Sequence, residues 1–382
     1  MEVLDFMNAH NNWEEILTQD PYNIKVKRDG SYILLKYNQL SSDFTNDIVR
    51  ECRGAIFYLN NDGKYECVCR SFDKFGNYGE SYVRDIDWNT AAVEEKVDGS
   101  LIKVWYHNNE WNISTNGTID AFSTEICDTE LTFGDIFNEA LGCSSVPVFM
   151  DELDTNMTYM FELVSPMSRT TIYYPETKLY YLGQRDIRTM QELKDYKPFM
   201  KDFGVLCPKE YPLKTIEECL EYVNTMTKNE EGFVIKDKHF NRIKLKSPKY
   251  LLAFHMDNNG IVTTKRIINM IKNEQIDDFL AYCPEYNEQV SNVIDNINKF
   301  ASYLNIKWEE YEKLADCDQK EFALAAKHEK YSGFLFSKRQ NRDMSGMDYI
   351  MTKQVKQIKN MIEEYDKNGY QFLFDDKVKA CV

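Results

Sequence analysis

Residues that interrupt or stiffen a polypeptide are scarce in this chain, whose 382 residues include only 9 prolines and 16 glycines. A collagen-like or low-complexity chain has far more of both, and a disordered chain has fewer apolar residues than the 43% present here. The composition therefore predicts folded domains with buried cores, and the length predicts two or three of them.

The spacing that marks a zinc site is also missing. Ten cysteines are scattered without a C-x-x-C pair, and the five histidines form no cluster with them. A structural zinc site is therefore not expected. We expect reduced and mostly buried thiols, as in a cytoplasmic protein.

Long apolar runs are absent as well. No segment approaches the ~20 apolar residues that a membrane-spanning helix needs. Residues 1–6 lack the basic start and apolar stretch of a secretory signal. These absences predict no membrane association and a cytoplasmic location.

Positive charge is in deficit, with 46 Lys and Arg against 62 Asp and Glu and a formal net charge of −16. Binding of nucleic acid over the whole surface is disfavoured, because phosphate contacts need clustered cations. A local basic groove on an acidic body remains compatible with this sum.

Apolar patterning predicts strands through the first two thirds of the chain, at residues 32–37, 54–59, 65–70, 101–106, 110–114, 159–164, 179–183, 232–236 and 242–246. Turn residues at 60–63 and 107–109 predict two hairpins. Residues 216–227 have the spacing of a helix.

After about residue 255 the pattern changes. Apolar residues at helical spacing predict amphipathic helices over 290–304 and 349–362, and strand signals are few. We therefore predict an α+β domain of antiparallel sheets and helices over residues 1–254. A smaller all-α domain is predicted over 255–382.

The segment E-K-V-D-G-S at residues 95–100 suggests specific chemistry. A lysine that attacks a nucleotide phosphate must be neutral, which nearby cations and partial burial favour. Here Lys96 is followed on the same face by Asp98, and Gly99 permits close backbone approach. An ordinary strand end with a turn has the same residues, so the motif alone leaves both interpretations open.

Further charged residues stand in or beside apolar strands. Lys244 and Lys246 share one strand face, where a polyphosphate would offset their repulsion, although a solvated edge strand is the alternative. Glu162 and Glu231 need a hydroxyl, a cation or a metal in such a setting. Structural salt bridges are the default interpretation for each residue taken singly.

Two more cations complete this set. Arg53 precedes a strand, where its guanidinium could fork onto a phosphate or a carboxylate. Lys236 leaves the strand that follows Glu231. A structural salt bridge is again the default for either one alone.

The order of these elements resembles that of the covalent nucleotidyltransferases, which include ATP-dependent nucleic-acid ligases and capping enzymes. Within that group the chain is most similar to the bacteriophage RNA ligase 1 family, the tRNA-repair type. The matching motifs are E-C-R-G at 51–54, D-K-F-G-N at 73–77, K-V-D-G-S at 96–100, F-E-L-V-S-P at 161–166, E-G-F-V-I-K at 231–236 and I-K-L-K-S at 243–247.

The resemblance implies an ATP-dependent RNA ligase that works in three steps. Lys96 attacks the α-phosphate of ATP and expels pyrophosphate, which leaves a lysyl–AMP adduct. The AMP then moves to the 5′-phosphate of an RNA end, and a 3′-hydroxyl attacks that end and releases AMP. The expected metal is Mg²⁺, with Mn²⁺ as the alternative.

The resemblance also implies a role for each matching residue. Lys96 is the nucleophile, and Asp98, Lys244 and Lys246 assist it. Glu162 accepts hydrogen bonds from the ribose, and Val234 packs on adenine with a residue of 180–182 on its other face. The implied nucleotide-binding residues are Arg53, Lys74, Glu95, Gly99, Glu162, Glu231, Val234, Lys236, Lys244 and Lys246. The implied metal contacts, direct or through water, are Glu231, Glu162 and Asp98.

The implied substrate is RNA with 5′-phosphate and 3′-hydroxyl ends, with a broken tRNA as one candidate. An end-healing polynucleotide kinase–phosphatase is a candidate functional partner. We expect a monomer, located in the host cytoplasm if the source is viral. The C-terminal helices are expected to select the RNA, and residues 338–342 form either a basic RNA-binding patch or a charged loop.

Two positions depart from the family pattern. Gly76 stands where a second phenylalanine is usual, and Asn116 stands where members often carry a lysine or arginine before a glycine. An aromatic contact and a phosphate or RNA contact are therefore missing or supplied elsewhere.

Three alternatives remain. A DNA ligase or a capping guanylyltransferase shares the motifs but normally has an OB-type barrel after the K-L-K strand, where this chain has helical patterns. The third is a non-catalytic RNA-binding relative. Against it stand the intact charged residues Lys96, Asp98, Glu162, Glu231, Lys244 and Lys246.

Overall fold

The computed structural model of the protein describes residues 1–39, 41–123, 125–126, 129–167, 171–194, 196–251, 262–272 and 275–368. Contacts divide the chain into two compact units, Met1–Gly260 and Ile261–Val382. The predicted boundary after residue 254 falls outside the described residues, so its position stays a prediction.

The first unit combines short helices with three antiparallel sheets, which confirms the predicted α+β class. Its helices are α1 (Glu2–Ala9), α2 (Trp13–Leu17), α3 (Asp47–Glu51), α4 (Phe133–Leu141), α5 (Val146–Asp151) and α6 (Ile216–Val223). Its strands are β1 (Lys25–Asp29), β2 (Tyr32–Lys36), β3 (Arg53–Leu59), β4 (Tyr65–Cys69), β5 (Ala92–Glu95), β6 (Ser100–His107), β7 (Glu110–Thr115), β8 (Met157–Val164), β9 (Lys178–Asp186), β10 (Glu192–Leu193), β11 (Glu210–Tyr211), β12 (Gly232–Lys236) and β13 (Arg242–Lys246).

The first sheet has the strand order β1-β2-β3-β4 and packs against α1, α2 and α3 through an apolar core. The predicted hairpin between β3 and β4 is confirmed. The ladder between β2 and β3 is irregular at its end, where Lys36 pairs with Arg53 and Leu35 pairs with Ala55. Gly54 therefore has no opposite residue, as in a β-bulge.

The second sheet has the order β10-β9-β8-β6-β7. One face packs on α4 and α5, with Phe137, Phe149 and Phe161 fully buried between them. The predicted hairpin of β6 and β7 is confirmed. It turns at Asn108 and Asn109, whose positive φ angles of 52° and 64° suit a type I′ turn.

The third sheet has the order β11-β5-β12-β13 and carries most of the predicted site. Alternate residues of β12 and β13, including Phe233 and Leu245, pack with residues of α6 in a third apolar core. Because side chains alternate along a strand, Val234, Lys244 and Lys246 lie on the opposite face.

The described part of the second unit, residues 262–272 and 275–368, contains helices and no strand. The helices are α7 (Thr264–Lys272), α8 (Ile276–Tyr282), α9 (Asn287–Tyr311), α10 (Gln319–Ala326), α11 (Ser332–Gln340), α12 (Gly346–Met351) and α13 (Val355–Asn368). In α9, Val290, Ile297 and Leu304 are buried, which confirms the predicted amphipathic helix.

Two helix predictions need correction. The helix predicted over 216–227 ends at Val223, because the side chains of Asn224 and Thr225 donate to the carbonyls of Leu220 and Tyr222.

The single helix predicted over 349–362 is two helices, α12 and α13. The break follows Thr352, whose hydroxyl donates to the carbonyl of Tyr349. A side chain that takes a terminal carbonyl in this way competes with continuation of the helix.

The described residues also bear on the expected free thiols and on the expected lack of membrane-spanning helices. The eight cysteines among them are all free thiols, five of them buried. No helix in the described ranges combines the length and apolar character needed to cross a membrane.

A buried ion-pair network joins the second and third sheets. Glu192 of β10 lies 3.0 Å from Nη1 of Arg242 in β13 and 3.2 Å from Nη2 of Arg185 in β9. All three side chains are less than 10% exposed. Two buried guanidinium groups therefore share one carboxylate.

We predict that Glu192→Gln lowers the free energy of unfolding by about 3–5 kcal/mol, because both guanidinium groups lose their buried counter-charge. The control is Glu210→Gln, which removes an exposed ion pair to Lys194 and should cost at most about 1 kcal/mol. Urea denaturation at neutral pH measures both. Equal losses for the two variants would contradict a stabilising role for the network.

Candidate active site

Lys96 lies directly after β5, at the start of the turn that leads to β6. Its backbone N–H donates to the carbonyl of Gly232 at 2.9 Å, which holds the turn against the start of β12. The Nζ atom lies 2.8 Å from Oε2 of Glu231, and the side chain is 19% exposed. The lysine is thus mostly enclosed and still reachable.

Glu231 binds two lysines at once. Its Oε1 lies 3.0 Å from Nζ of Lys246, while Oε2 faces Lys96. The carboxylate is only 2% exposed. Such a buried charge is tolerated only with close counter-charges, so the three side chains hold one another in place.

Gly232 makes this arrangement possible. Its φ angle is +141°, and a Cβ there would lie 2.0 Å from the carbonyl oxygen of Leu245. Only a residue without a side chain brings Glu231 this close to β13.

Gly99 has a similar role at the other end of the turn. Its N–H donates to Oε1 of Glu162 at 3.2 Å, and a Cβ would lie 2.5 Å from the carbonyl oxygen of Leu163. The turn therefore lies directly against β8 and brings Glu162 beside the lysine.

The environment of Glu162 favours its neutral form. Burial raises the pKa of this carboxyl to about 7, and the negative charge of Glu231 acts in the same direction. The positive charges of Lys96 and Arg53 act against the rise. Glu162 is therefore electrostatically coupled to the nucleophile candidate and to Arg53.

Asp98 is engaged with the backbone. Its Oδ2 accepts hydrogen bonds from the N–H groups of Thr171 and Ile172, at 3.0 and 2.9 Å. The N–H of Asp98 donates to the hydroxyl of Tyr174 at 3.3 Å. Asp98 thus anchors the segment after β8 to the turn that carries Lys96. Tyr174 was missed at the sequence level, because no local signal links it to a turn 76 residues away.

The predicted metal contacts are not gathered as direct ligands. In the described ranges, no three Asp, Glu, His or Cys side chains form a group that could hold a metal ion. Glu231 already faces two ammonium groups, and Asp98 faces two N–H groups. Mg²⁺ usually keeps several waters and binds through substrate phosphates, so these residues fit contacts through water.

Arg53 lies at the start of β3, with its guanidinium 4.5 Å from the ring centre of Phe72 and 5.9 Å from that of Phe75. Its Nη1 atom is buried and has no hydrogen-bond partner among the described residues. A buried donor without an acceptor is costly. This atom is therefore a candidate donor for a ligand oxygen.

Lys244 and Val234 are direct neighbours on the face opposite the core, and Lys246 pairs with Gly232. Lys244 Nζ lies 5.7 Å from the ring centre of Phe75, and its N–H donates to the carbonyl of Gly76 at 2.9 Å. The prediction that Lys244 and Lys246 lie on one face of the strand is confirmed.

The departure at Gly76 has a steric reason. A Cβ there would lie 2.5 Å from Oε2 of Glu80 and 2.7 Å from Cγ1 of Val83. A phenylalanine does not fit beside these side chains as they stand. The aromatic neighbour of Lys244 is Phe75 instead.

Three more predicted site residues are Lys236, Lys74 and Glu95, and each contacts a different part of the protein. Lys236 Nζ is 3.5 Å from Glu94, and burial lowers the pKa of this lysine. Lys74 is buried, with Nζ 4.8 Å from the ring centre of Phe44. The N–H and the carboxylate of Glu95 face the backbone of Lys209. Nucleotide contacts of these three residues stay predictions.

Burial reduces the number of residues among 180–182 that could stack on adenine. Tyr181 is fully buried in the core of the second sheet, and its hydroxyl donates to Gln184. Tyr180 and Leu182 lie on the opposite face, and Tyr180 pairs with Glu162 across the ladder. Of these three residues, Tyr180 and Leu182 lie on the face away from the core, and contact with a base stays a prediction.

The basic side chains of segment 338–342 bond to other groups within the helical unit. Arg339 donates to the carbonyls of Ala315 and Cys317, and Arg342 donates to Ala315 and pairs with Asp316. These contacts favour the charged-loop interpretation over an RNA-binding patch.

Comparison with known proteins gives a consistent result. The sequence profile of the RNA ligase family matches residues 51–250, just over half of the 382 residues. A protein of Autographa californica nuclear polyhedrosis virus, named as a bifunctional polynucleotide kinase/RNA ligase, is 31% identical over 308 residues. The matched region covers 74% of this chain and 42% of that protein, so the chain spans less than half the length of this relative.

An RNA ligase of Rhodothermus phage RM378 is 24% identical over 316 residues, which cover 67% of this chain and 71% of the phage protein. Among solved structures, an archaeal ATP-dependent RNA ligase has a TM-score of 0.44 and 14% identity, over 78% of this chain and 82% of that one. A likeness this remote says nothing about the site. Because the family profile matches more than half of the chain and spans every residue from Arg53 to Lys246, this chain belongs to the bacteriophage-type RNA ligase family.

Proposed function

We propose that this chain is an ATP-dependent RNA ligase that joins 5′-phosphate and 3′-hydroxyl ends through a lysyl–AMP adduct on Lys96. One observation carries the proposal. Lys96 and Lys246 converge on the buried carboxylate of Glu231, in the segment that matches the RNA ligase family. A nucleophile with a second cation at its side is what transfer of a nucleotidyl group requires.

In the first step Lys96 Nζ forms a bond to the α-phosphorus of ATP, and the bond from that phosphorus to the leaving pyrophosphate breaks. The ammonium must lose a proton, and Glu231 Oε2 at 2.8 Å is placed to hold it. Lys246 keeps Glu231 in place while Lys96 changes its charge.

The remaining cations stabilise the charge that develops on the phosphoryl oxygens. Lys244 and Lys246 lie on one strand face, and Arg53 has a buried donor without an acceptor in the described structure. We assign Arg53 and Lys74 to the phosphates or ribose. Lys236 is assigned to the outer part of this group of cations.

Two further contacts fix the nucleoside. Glu162 is assigned to the ribose hydroxyls and Val234 to one face of adenine, with Tyr180 or Leu182 on the other. Glu95 and Gly99 contribute backbone positions beside the nucleotide. The pairing of Tyr180 with Glu162 and of Val234 with Lys244 supports this set.

A divalent ion, Mg²⁺ or Mn²⁺, would reach the site on the triphosphate and neutralise charge on the transferring group. Glu231, Glu162 and Asp98 are assigned to it through water, because at least one carboxylate oxygen of each already faces a protein donor.

In the second step the AMP leaves Lys96 for the 5′-phosphate of an RNA end, and in the third a 3′-hydroxyl displaces AMP. The helical unit is assigned to RNA selection, with broken tRNA as a candidate substrate. The relative named as a bifunctional polynucleotide kinase/RNA ligase supports functional pairing with an end-healing kinase. The site of action is the cytoplasm, and the protein acts as a monomer.

The test is to incubate the full chain with α-labelled ATP or GTP and metal, and then with RNA or DNA that carries 5′-phosphate ends. Label from ATP on the protein and sealing of RNA are expected. Label from GTP alone would indicate a capping enzyme, and sealing of DNA alone would indicate a DNA ligase. The absence of strands in the described part of the second unit already supports the RNA ligase over both.

We predict that Lys96→Ala abolishes the covalent AMP adduct, because no other atom replaces Nζ. Intact-mass measurement after incubation with ATP and magnesium detects the adduct. The control is Lys178→Ala, which removes an exposed lysine paired with Glu176 and should leave the adduct unchanged. Sealing from ATP by the Lys96→Ala protein would disprove the mechanism, and sealing of pre-adenylylated RNA alone would support it.

We predict a pH dependence of stability that belongs to Glu162. Because burial raises its folded pKa to about 7, the folded state holds a proton that the unfolded chain releases above its ordinary pKa. The contribution of Glu162 to stability is therefore complete at low pH and is lost as pH rises to about 7.

Glu162→Gln removes this dependence. Its free energy of unfolding, relative to the parent protein, should rise by on the order of 2 kcal/mol between pH 4.5 and pH 7.5. Urea denaturation at several pH values measures the difference. The exposed Glu217→Gln is the control, and parallel curves for the parent and Glu162→Gln would contradict the prediction.

A further inference from the structure

Lys103 is a fully buried lysine in the middle of β6, at 0% exposure. Its Nζ donates to the carbonyl oxygen of Gly54. Because no part of it reaches solvent, it cannot touch ATP or RNA directly. A buried ammonium is costly without specific partners, so its position calls for an explanation beyond core packing.

The residue that Lys103 holds is the bulge residue of β3. Gly54 has a φ angle of +70° and no opposite residue on β2. A Cβ there would lie 2.6 Å from the carbonyl oxygen of Asn116, so the backbone just after β7 packs closely against Gly54. The carbonyl of Gly54 and its Cα are thus fixed by two neighbours.

A bulge re-aims the side chain beside it, and the neighbour of Gly54 is Arg53. The Arg53 guanidinium lies over Phe72 at 4.5 Å, and its Nη1 is buried without a described partner. This is the donor that the proposed function assigns to the phosphates or ribose of ATP.

The two cations are also electrostatically coupled. Burial lowers the pKa of Lys103, and the nearby charge of Arg53 lowers it further, while Cys69 acts in the opposite sense.

We propose that Lys103 is a positioning residue for Arg53, acting through the Gly54 carbonyl. The inference rests on the proposed function, because it takes the ligand of Arg53 to be ATP.

The test is a double-mutant cycle on lysyl–AMP formation by the full chain. Lys103→Met, of similar length and without charge, should raise the KM for ATP about tenfold and change kcat by less than about threefold. In an Arg53→Ala background the same substitution should have an effect below about twofold, because Arg53 is no longer there to be placed. Thermal melts check that each variant is folded.

The matched control is Lys27→Met. Lys27 Nζ donates to the carbonyl of Gly117 at 2.8 Å, one residue from Asn116. Its loss should leave the KM for ATP unchanged. A rise in KM equal to that of Lys103→Met would show that losing either lysine has the same effect on ATP binding, and would overturn the proposal.

If Lys103→Met does not fold, Lys103→Gln takes its place in the cycle, and the same dependence on Arg53 is expected. Failure of both to fold would make Lys103 purely structural and would refute the inference. So would equal losses from Lys103→Met with and without Arg53. Absence of the adduct in the unmodified protein would instead refute the proposed function.

Discussion

The site depends on one buried carboxylate between two ammonium groups. Glu231 joins Lys96, at the end of β5, to Lys246, at the end of β13, and so connects three neighbouring strands. Without the carboxylate, two enclosed cations would repel each other and the turn after β5 would lose its anchor. Without the lysines, a buried negative charge would be uncompensated. The geometry around Lys96 is therefore held by the charges of the protein itself.

Much of the geometry of the site was predictable from the sequence, wherever it depends on the pattern of neighbouring residues. The bounds of β12 and β13 follow from apolar alternation, which also places Lys244 and Lys246 on one face. The separation of two helices at residues 352–354 was not predicted, because the apolar spacing continues across a break that Thr352 makes. Apolar spacing indicates which face of a helix is buried, but it does not indicate where the helix ends.

The site residues were harder to place where their role depends on distant partners. Asp98 faces N–H groups more than 70 residues away, and Lys103 holds a carbonyl 49 residues away. Neither contact leaves a trace in the neighbouring sequence. Tyr181 was one candidate for stacking on adenine because an aromatic strand residue looks the same whether it faces a core or a base, and burial assigns it to the core.

The anchoring of the segment after β8 by Asp98 has a consequence for exchange between related enzymes. The turn that carries Lys96 and residues 171–172 form one hydrogen-bonded unit, although they are far apart in the chain. A chimera that takes the turn from one ligase and this segment from another would separate an acceptor from its two donors. The two pieces are therefore best transplanted together.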